Sequence, residues 1–123
     1  MNALKKQVEY RLSDVITFFK NMIIENGVDN LLDDIDFCIY TMDYVDVASG
    51  DMICYLDDYP DIDDDDKEIY TDFVTERKLV MFYSGEQFED VIGNMLSQKM
   101  DSAIEDFISG INYYREHDDF LDI

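Results

Sequence analysis

Apolar residues recur at three- and four-residue steps from Leu4 through Val8, Leu12, Val15, Phe19, Met22 and Ile23. That spacing places them on one face of a long amphipathic helix over residues 3–26. Gly27 stands where such a helix would stop. From Asp36 the period shortens. Residues 37–42 form an apolar run rich in strand formers, residues 52–56 form a second, and Ser49-Gly50-Asp51 between them supplies turn chemistry. The pair predicts an antiparallel hairpin, with residues 44–47 open as an extension of its first strand.

Residues 57–66, Asp-Asp-Tyr-Pro-Asp-Ile-Asp-Asp-Asp-Asp, are too polar for a core and predict a solvated loop ended by Lys67. Asp63 to Asp66 would lie near the N-terminus of a short helix over about residues 67–77, where the backbone dipole tolerates negative charge. Ile69, Tyr70, Phe73 and Val74 would face inward from it. Residues 79–83, Leu-Val-Met-Phe-Tyr, are apolar on both faces and predict a central strand. Ser84-Gly85-Glu86-Gln87 has the spacing of a helix capping box, with Tyr83 and Phe88 placed for the accompanying hydrophobic staple. The helix it opens buries Phe88, Val91, Ile92, Met95 and Leu96. A second box, Ser102 to Glu105, opens the last helix, with Ile104, Phe107, Ile108, Ile111 and Tyr114 as its stripe. Residues 120–123 are a short apolar tail expected to fold back. The order of elements predicts an α+β fold: one domain over residues 1–123, a small, mainly antiparallel sheet of about three strands covered by four helices, without repeats.

Charge changes this picture more than composition does. Between Val28 and Asp66 there are fourteen aspartates and no lysine or arginine, whereas the first 27 residues carry four basic and three acidic side chains. The formal charge of −21 therefore belongs almost entirely to the residues beyond Gly27. Such one-sided charge works against compaction through self-repulsion. Disorder is not the explanation, because nine Tyr, eight Phe and many Ile and Val provide a core. A strongly basic partner, whose surface the carboxylates neutralise, is the reading the imbalance favours. Direct nucleic-acid binding is disfavoured by the same charge.

Candidate chemistry is sparse. His117, the one histidine, falls near the end of the last helix, where a positive charge suits the dipole, and no adjacent pattern pairs it with a nucleophile. Glycine-rich phosphate loops are missing. With thirty acids, a carboxylate pair by proximity says nothing about hydrolysis. No enzyme is expected. Asp61, Asp63 and Asp65 fall at positions one, three and five of an EF-hand-like loop, but Asp66 replaces its turn glycine, Glu68 its apolar residue, and Pro60 opposes an entering helix. No metal or cofactor is expected. Cys38 and Cys54 sit inside apolar runs and read as buried thiols of a reducing compartment. No apolar stretch is long enough to cross a bilayer and no signal peptide is evident, so a cytoplasmic protein without membrane contact is expected.

What remains is the acidic surface. Asp33, Asp34, Asp43, Asp46, Asp57, Asp58, Asp61, Asp63, Asp64, Asp65 and Asp66 fall around the proposed hairpin and its following loop, interleaved with Tyr44, Tyr55 and Tyr59. Carboxylates on a rigid element can occupy the positions that phosphates fill in a nuclease cleft. Tyrosines add contact area at low entropic cost.

In the C-terminal third, Tyr83-Ser84-Gly85-Glu86-Gln87-Phe88-Glu89-Asp90-Val91-Ile92, then Ile111-Asn112-Tyr113-Tyr114 and Asp118-Asp119-Phe120-Leu121, resemble small bacterial immunity proteins of contact-dependent growth inhibition (CdiI type). The resemblance implies a cytosolic protein that binds a toxin domain delivered by a neighbouring cell, many such toxins being nucleases with basic active sites. It carries over no contact residue by position. Charge and resemblance together predict an immunity protein, a monomer when free, that covers the basic cleft of a cationic nuclease toxin. The expected contacts are Asp57, Asp58, Tyr59, Asp61, Asp63, Asp64, Asp65 and Asp66, then Asp43, Tyr44 and Asp46. The alternative with the same physics is a phage nucleic-acid mimic that inhibits a restriction or CRISPR nuclease.

Overall fold

Strand β1 (Glu9–Arg11) and helix α1 (Leu12–Asn26) replace the single helix expected over residues 3–26 in the computed structural model, which describes residues 4–26 and 36–122. A four-residue step is also two repeats of a strand, so the Val8–Leu12 spacing does not separate helix from extended chain. Gln7 reverses the chain at φ 64° and donates its N–H to the Leu56 carbonyl at 2.6 Å. Glu9, Tyr10 and Arg11 then pair antiparallel with Tyr55, Cys54 and Ile53. The first N–H groups of α1, from Leu12 and Ser13, donate to the Met52 and Gly50 carbonyls at 2.9 and 3.0 Å, so the helix begins where the sheet satisfies its orphan donors. From Leu12 on, the expected stripe holds: Leu12, Val15, Phe19 and Ile23 are buried. Gly27 lies outside the described residues.

Strands β2 (Phe37–Thr41) and β3 (Ile53–Asp58) are the expected antiparallel pair, with Cys38 opposite Asp57 and Tyr40 opposite Tyr55. Residues 44–47 do not extend β2; they belong to a loop that the Ser49–Met52 turn closes, the Met52 N–H donating to the Ser49 carbonyl at 3.3 Å. The acidic stretch is not a plain loop. Strand β3 runs through Asp57 and Asp58, and strands β4 (Asp61–Ile62) and β5 (Glu68–Ile69) make a small separate hairpin. Helix α2 (Asp72–Glu76) is shorter than expected, because Thr71 caps it by accepting from the Val74 N–H and Asp63 to Asp66 are committed to the hairpin turn.

Strand β6 (Val80–Ser84) lies at the sheet edge, not its centre: the order is β1-β3-β2-β6. An apolar run on both faces reads as a central strand, but a bulge intervenes. Ile39 pairs with Tyr83 and Tyr40 with Met81, leaving Phe82 as the extra residue. The bulge puts Phe82 and Tyr83 on the same face and leaves Val80 and Met81 partly in solvent. Ser84 caps helix α3 (Gly85–Gln98) by accepting from the Gln87 N–H at 3.2 Å, and the Tyr83 and Phe88 rings meet at 5.6 Å as the staple requires. Helix α4 (Ile104–His117) starts one residue later than the second box implied. Ala103 is its N-cap, and Asp106 reaches back to accept the Ala103 N–H at 2.8 Å, while the Ser102 hydroxyl turns to the Lys99 carbonyl. The tail does fold back as far as it is described: the Leu121 carbonyl accepts from Gln98 and Phe120 stacks near Tyr114.

The α+β architecture is as expected: the described residues form four strands in the main antiparallel sheet, the two-stranded hairpin, and four helices. One face of the sheet packs against α1, α3 and α4 around Phe19, Ile39, Leu56, Phe88 and Phe107. The other face is closed by the segment carrying α2, through Cys38, Tyr40, Val74 and Leu79. Strand β2 is buried along its whole length because it feeds both layers: Phe37 and Ile39 the first, Cys38 and Tyr40 the second. Each such side chain contributes about 1.5–3 kcal/mol by leaving water. Among the described residues no helix is long and apolar enough to cross a membrane.

Two acidic sites at opposite ends of the sheet

The residues expected to form one acidic face separate into two groups. Asp57 lies opposite Cys38 near the start of β2, whereas Asp43, Tyr44 and Asp46 follow its far end at Thr41. Five residues of strand hold those ends about 14 Å apart.

At the first end, the β4–β5 hairpin is built around Asp63. Its N–H donates to the Lys67 carbonyl at 2.9 Å, and its Oδ1 accepts from the Asp65 and Lys67 N–H groups at 2.8 and 2.9 Å. Asp66 closes the three-residue loop at φ 62°, a left-handed position where glycine is usual. With Asp63 fixing the turn, the exposed carboxylates of Asp64, Asp65 and Asp66 are carried on an ordered tip. Asp61, on β4, is exposed as well. None of these four forms an ion pair within the described residues.

Below the tip is a cavity of about 350 Å³ lined by Lys6, Asp36, Asp58, Tyr59, Asp61 and Tyr70, among others. The Lys6 ammonium bridges Asp58 Oδ1 at 2.6 Å and Asp36 Oδ2 at 3.1 Å. Its pKa is raised, chiefly by the hydrogen bond to Asp58. Tyr59 is partly committed to the fold, since its Oη accepts from the Glu86 N–H at 3.1 Å in the first turn of α3. Burial pushes the Tyr59 phenol up. Tyr70 donates to the Glu68 carboxylate, which is the main cause of its pKa rising to about 12.

Asp57 is not on this surface. It is 1% exposed, and its carboxylate accepts from the Thr71 hydroxyl at 2.5 Å and the Asp58 N–H at 2.9 Å. Weaker bonds reach it from Gln7 Nε2 at 3.3–3.4 Å. Thr71 in turn accepts from the Val74 N–H, so Asp57 ties β3 to the start of α2. The expectation that it contacts a partner meets a residue enclosed by its own chain. Asp33 and Asp34 lie outside the described residues.

At the second end, the loop after β2 is pinned to α4. Asn112 accepts the Ala48 N–H at 2.8 Å and donates to the Ala48 carbonyl at 3.1 Å, while Arg115 Nη2 donates to the Val45 carbonyl. The Arg115 guanidinium lies 4.7 Å from the Phe82 ring centre and 5.8 Å from that of Tyr44. Tyr44 and Val47 are 79% and 73% exposed despite this anchoring. Nothing in the local sequence announces Arg115 as a partner of the loop, since the contact spans 70 positions.

Other candidates resolve simply. His117 is half-exposed, with its ring 4.2 Å from that of Tyr113. Both cysteines are buried free thiols, pushed by burial to about 11 for Cys38 and about 12 for Cys54. Among the described residues no three His, Cys, Asp or Glu side chains converge on a point where they could hold a metal ion. Glu89, which the sequence does not single out, is 2% exposed on α3 with Oε2 unpartnered, and burial raises its pKa.

No curated protein and no solved structure matches the chain. Residues 34–123, which contain both acidic sites, match one family model, and on that span the protein belongs to the DUF7716 family, a domain of unknown function.

Proposed function

We propose that the protein is an immunity protein that binds a cationic nuclease toxin domain in the cytosol and covers its basic substrate cleft. It acts by occupancy, not by catalysis, and needs no cofactor. The observation that carries this reading is the β4–β5 hairpin: a turn fixed by Asp63 that holds out Asp61, Asp64, Asp65 and Asp66 without counter-charges among the described residues. Carboxylates on an ordered element meet a basic cleft without first losing loop entropy, and their field accelerates encounter. The C-terminal resemblance to immunity proteins of contact-dependent growth inhibition supports the same role.

The test is association with candidate cationic nuclease toxin domains, found by co-expression and survival, and measured by stopped flow across a salt series. Replacing Asp64, Asp65 and Asp66 with Asn, and leaving Asp63 to hold the turn, should slow association about tenfold at low salt and flatten its salt dependence. An unchanged rate at every salt concentration would rule out the hairpin as the docking device. Protection of a restriction or CRISPR nuclease target, without neutralisation of a toxin, would place the protein among phage mimics instead.

A further inference from the structure

The Tyr44 end of the sheet differs in chemistry from the hairpin end. A groove of about 450 Å³ runs between the loop after β2 and α4, lined by Tyr44, Asp46, Val47, Asn112, Arg115 and Glu116. Its walls do not need to form on binding, because Asn112 and Arg115 already bond the loop's backbone at Ala48 and Val45. Two features of the lining face solvent. Tyr44 and Val47 present large apolar surfaces to solvent, with Met42 beside them 61% exposed. Asp46 forms no ion pair among the described residues, and Glu116, whose carboxylate lies 3.9 Å from His117 Nε2, forms none with Arg115.

We propose that this groove docks an extended basic-apolar segment of the protein partner, with an aliphatic side chain over Tyr44 and Val47 and a lysine or arginine between Asp46 and Glu116. Charge selects the occupant: two copies of a chain at −21 repel, and a basic segment meets the carboxylates at the rim. The inference rests on the proposed function, in which the partner is a cationic protein. It adds that the partner is held at two points, beyond the opposite ends of β2, by charge at the hairpin and by shape and charge at the groove.

The experiment uses the whole chain, labelled with ¹⁵N, and two blocked pentapeptides of equal charge, Arg-Val-Lys-Val-Arg and Lys-Gly-Lys-Gly-Lys. The apolar-basic peptide should shift the amides of residues 44–47, the Asn112 side-chain amide and the Arg115 Nε–H, and bind more tightly there than the glycine peptide. Val47→Ser and Glu116→Gln should each weaken that binding about three- to tenfold. The hairpin variant with Asp64, Asp65 and Asp66 replaced by Asn should leave the groove shifts in place, which separates this claim from the fate of the hairpin reading. Shifts confined to the hairpin, or equal groove shifts from both peptides that survive Val47→Ser, would overturn the proposal. So would a sedimentation result in which a second copy fills the groove.

Discussion

Asp57→Ala is the substitution that separates a carboxylate working for the fold from one working at the surface. It removes the acceptor of two part-buried donors, the Thr71 hydroxyl and the Asp58 N–H. Gln7 is exposed and can turn to water, so its loss counts for little. Each donor left without its acceptor costs about 1–3 kcal/mol where water does not replace it, and the removed charge returns part of that by no longer needing to be desolvated. The expected net loss is about 2 kcal/mol or somewhat more. Urea unfolding should show it as a lower midpoint at unchanged slope. Asp57→Asn keeps an acceptor in place and should cost about half as much or less. Because the Thr71 hydroxyl links Asp57 to the cap of α2, Asp57→Ala and Thr71→Val should not add, and the cycle should report a coupling of about 1–2 kcal/mol. Additive losses, or a change under about 0.5 kcal/mol for Asp57→Ala, would refute the anchoring role. An Asp57→Asn variant of unchanged stability that slowed toxin association as Asp64→Asn does would refute the burial itself.

Glu89 has a raised pKa because of burial, so the fold favours its protonated form; the stability that form contributes is complete below the ordinary value of 4.5 and is lost as pH rises through the folded value. Glu89→Gln should therefore match the parent below pH 4.5 and exceed it at pH 7, and a gain that persisted unchanged into acid would contradict the assignment. Asp66→Gly relieves a left-handed residue at φ 62° and should raise stability by about 0.5 kcal/mol in thermal unfolding while lowering the toxin on-rate at low salt. Cys38 and Cys54, with thiols at about 11 and about 12, should react with a disulfide reagent at pH 8 only as fast as the chain unfolds; rapid labelling of the native protein would show that one is accessible.

Local chemistry was legible wherever neighbours in sequence decide it. The Ser84 cap and the Tyr83–Phe88 staple need only a span of six residues, and both formed as the spacing predicts. The start of α1 did not follow the pattern, because its first donors are satisfied by Met52 and Gly50, about forty positions away. The edge position of β6 was hidden for a related reason: the register shift at Ile39 and Tyr40 that turns Phe82 and Tyr83 to one face is a property of the pairing, not of the run. Asp57 is the sharpest case. Its donors come from residues 7, 58 and 71, and only the fold brings the first and last of these together.

A run of acidic residues states how much negative charge a segment carries; it does not state which carboxylates can show it to a partner. Within residues 57–66 the fold assigns different work to adjacent aspartates. Asp57 is enclosed, Asp58 is engaged by Lys6, Asp63 holds a turn, and Asp61, Asp64, Asp65 and Asp66 are left outward without counter-charges among the described residues. The same fold moves Asp43 and Asp46 to the other end of β2, beside the groove that Tyr44, Val47 and Arg115 line. A partner that read only net charge would treat the two ends alike. One that must satisfy the Asp63-braced tip and the Tyr44 groove together is selected by the distance between them, which a long-range field alone cannot specify.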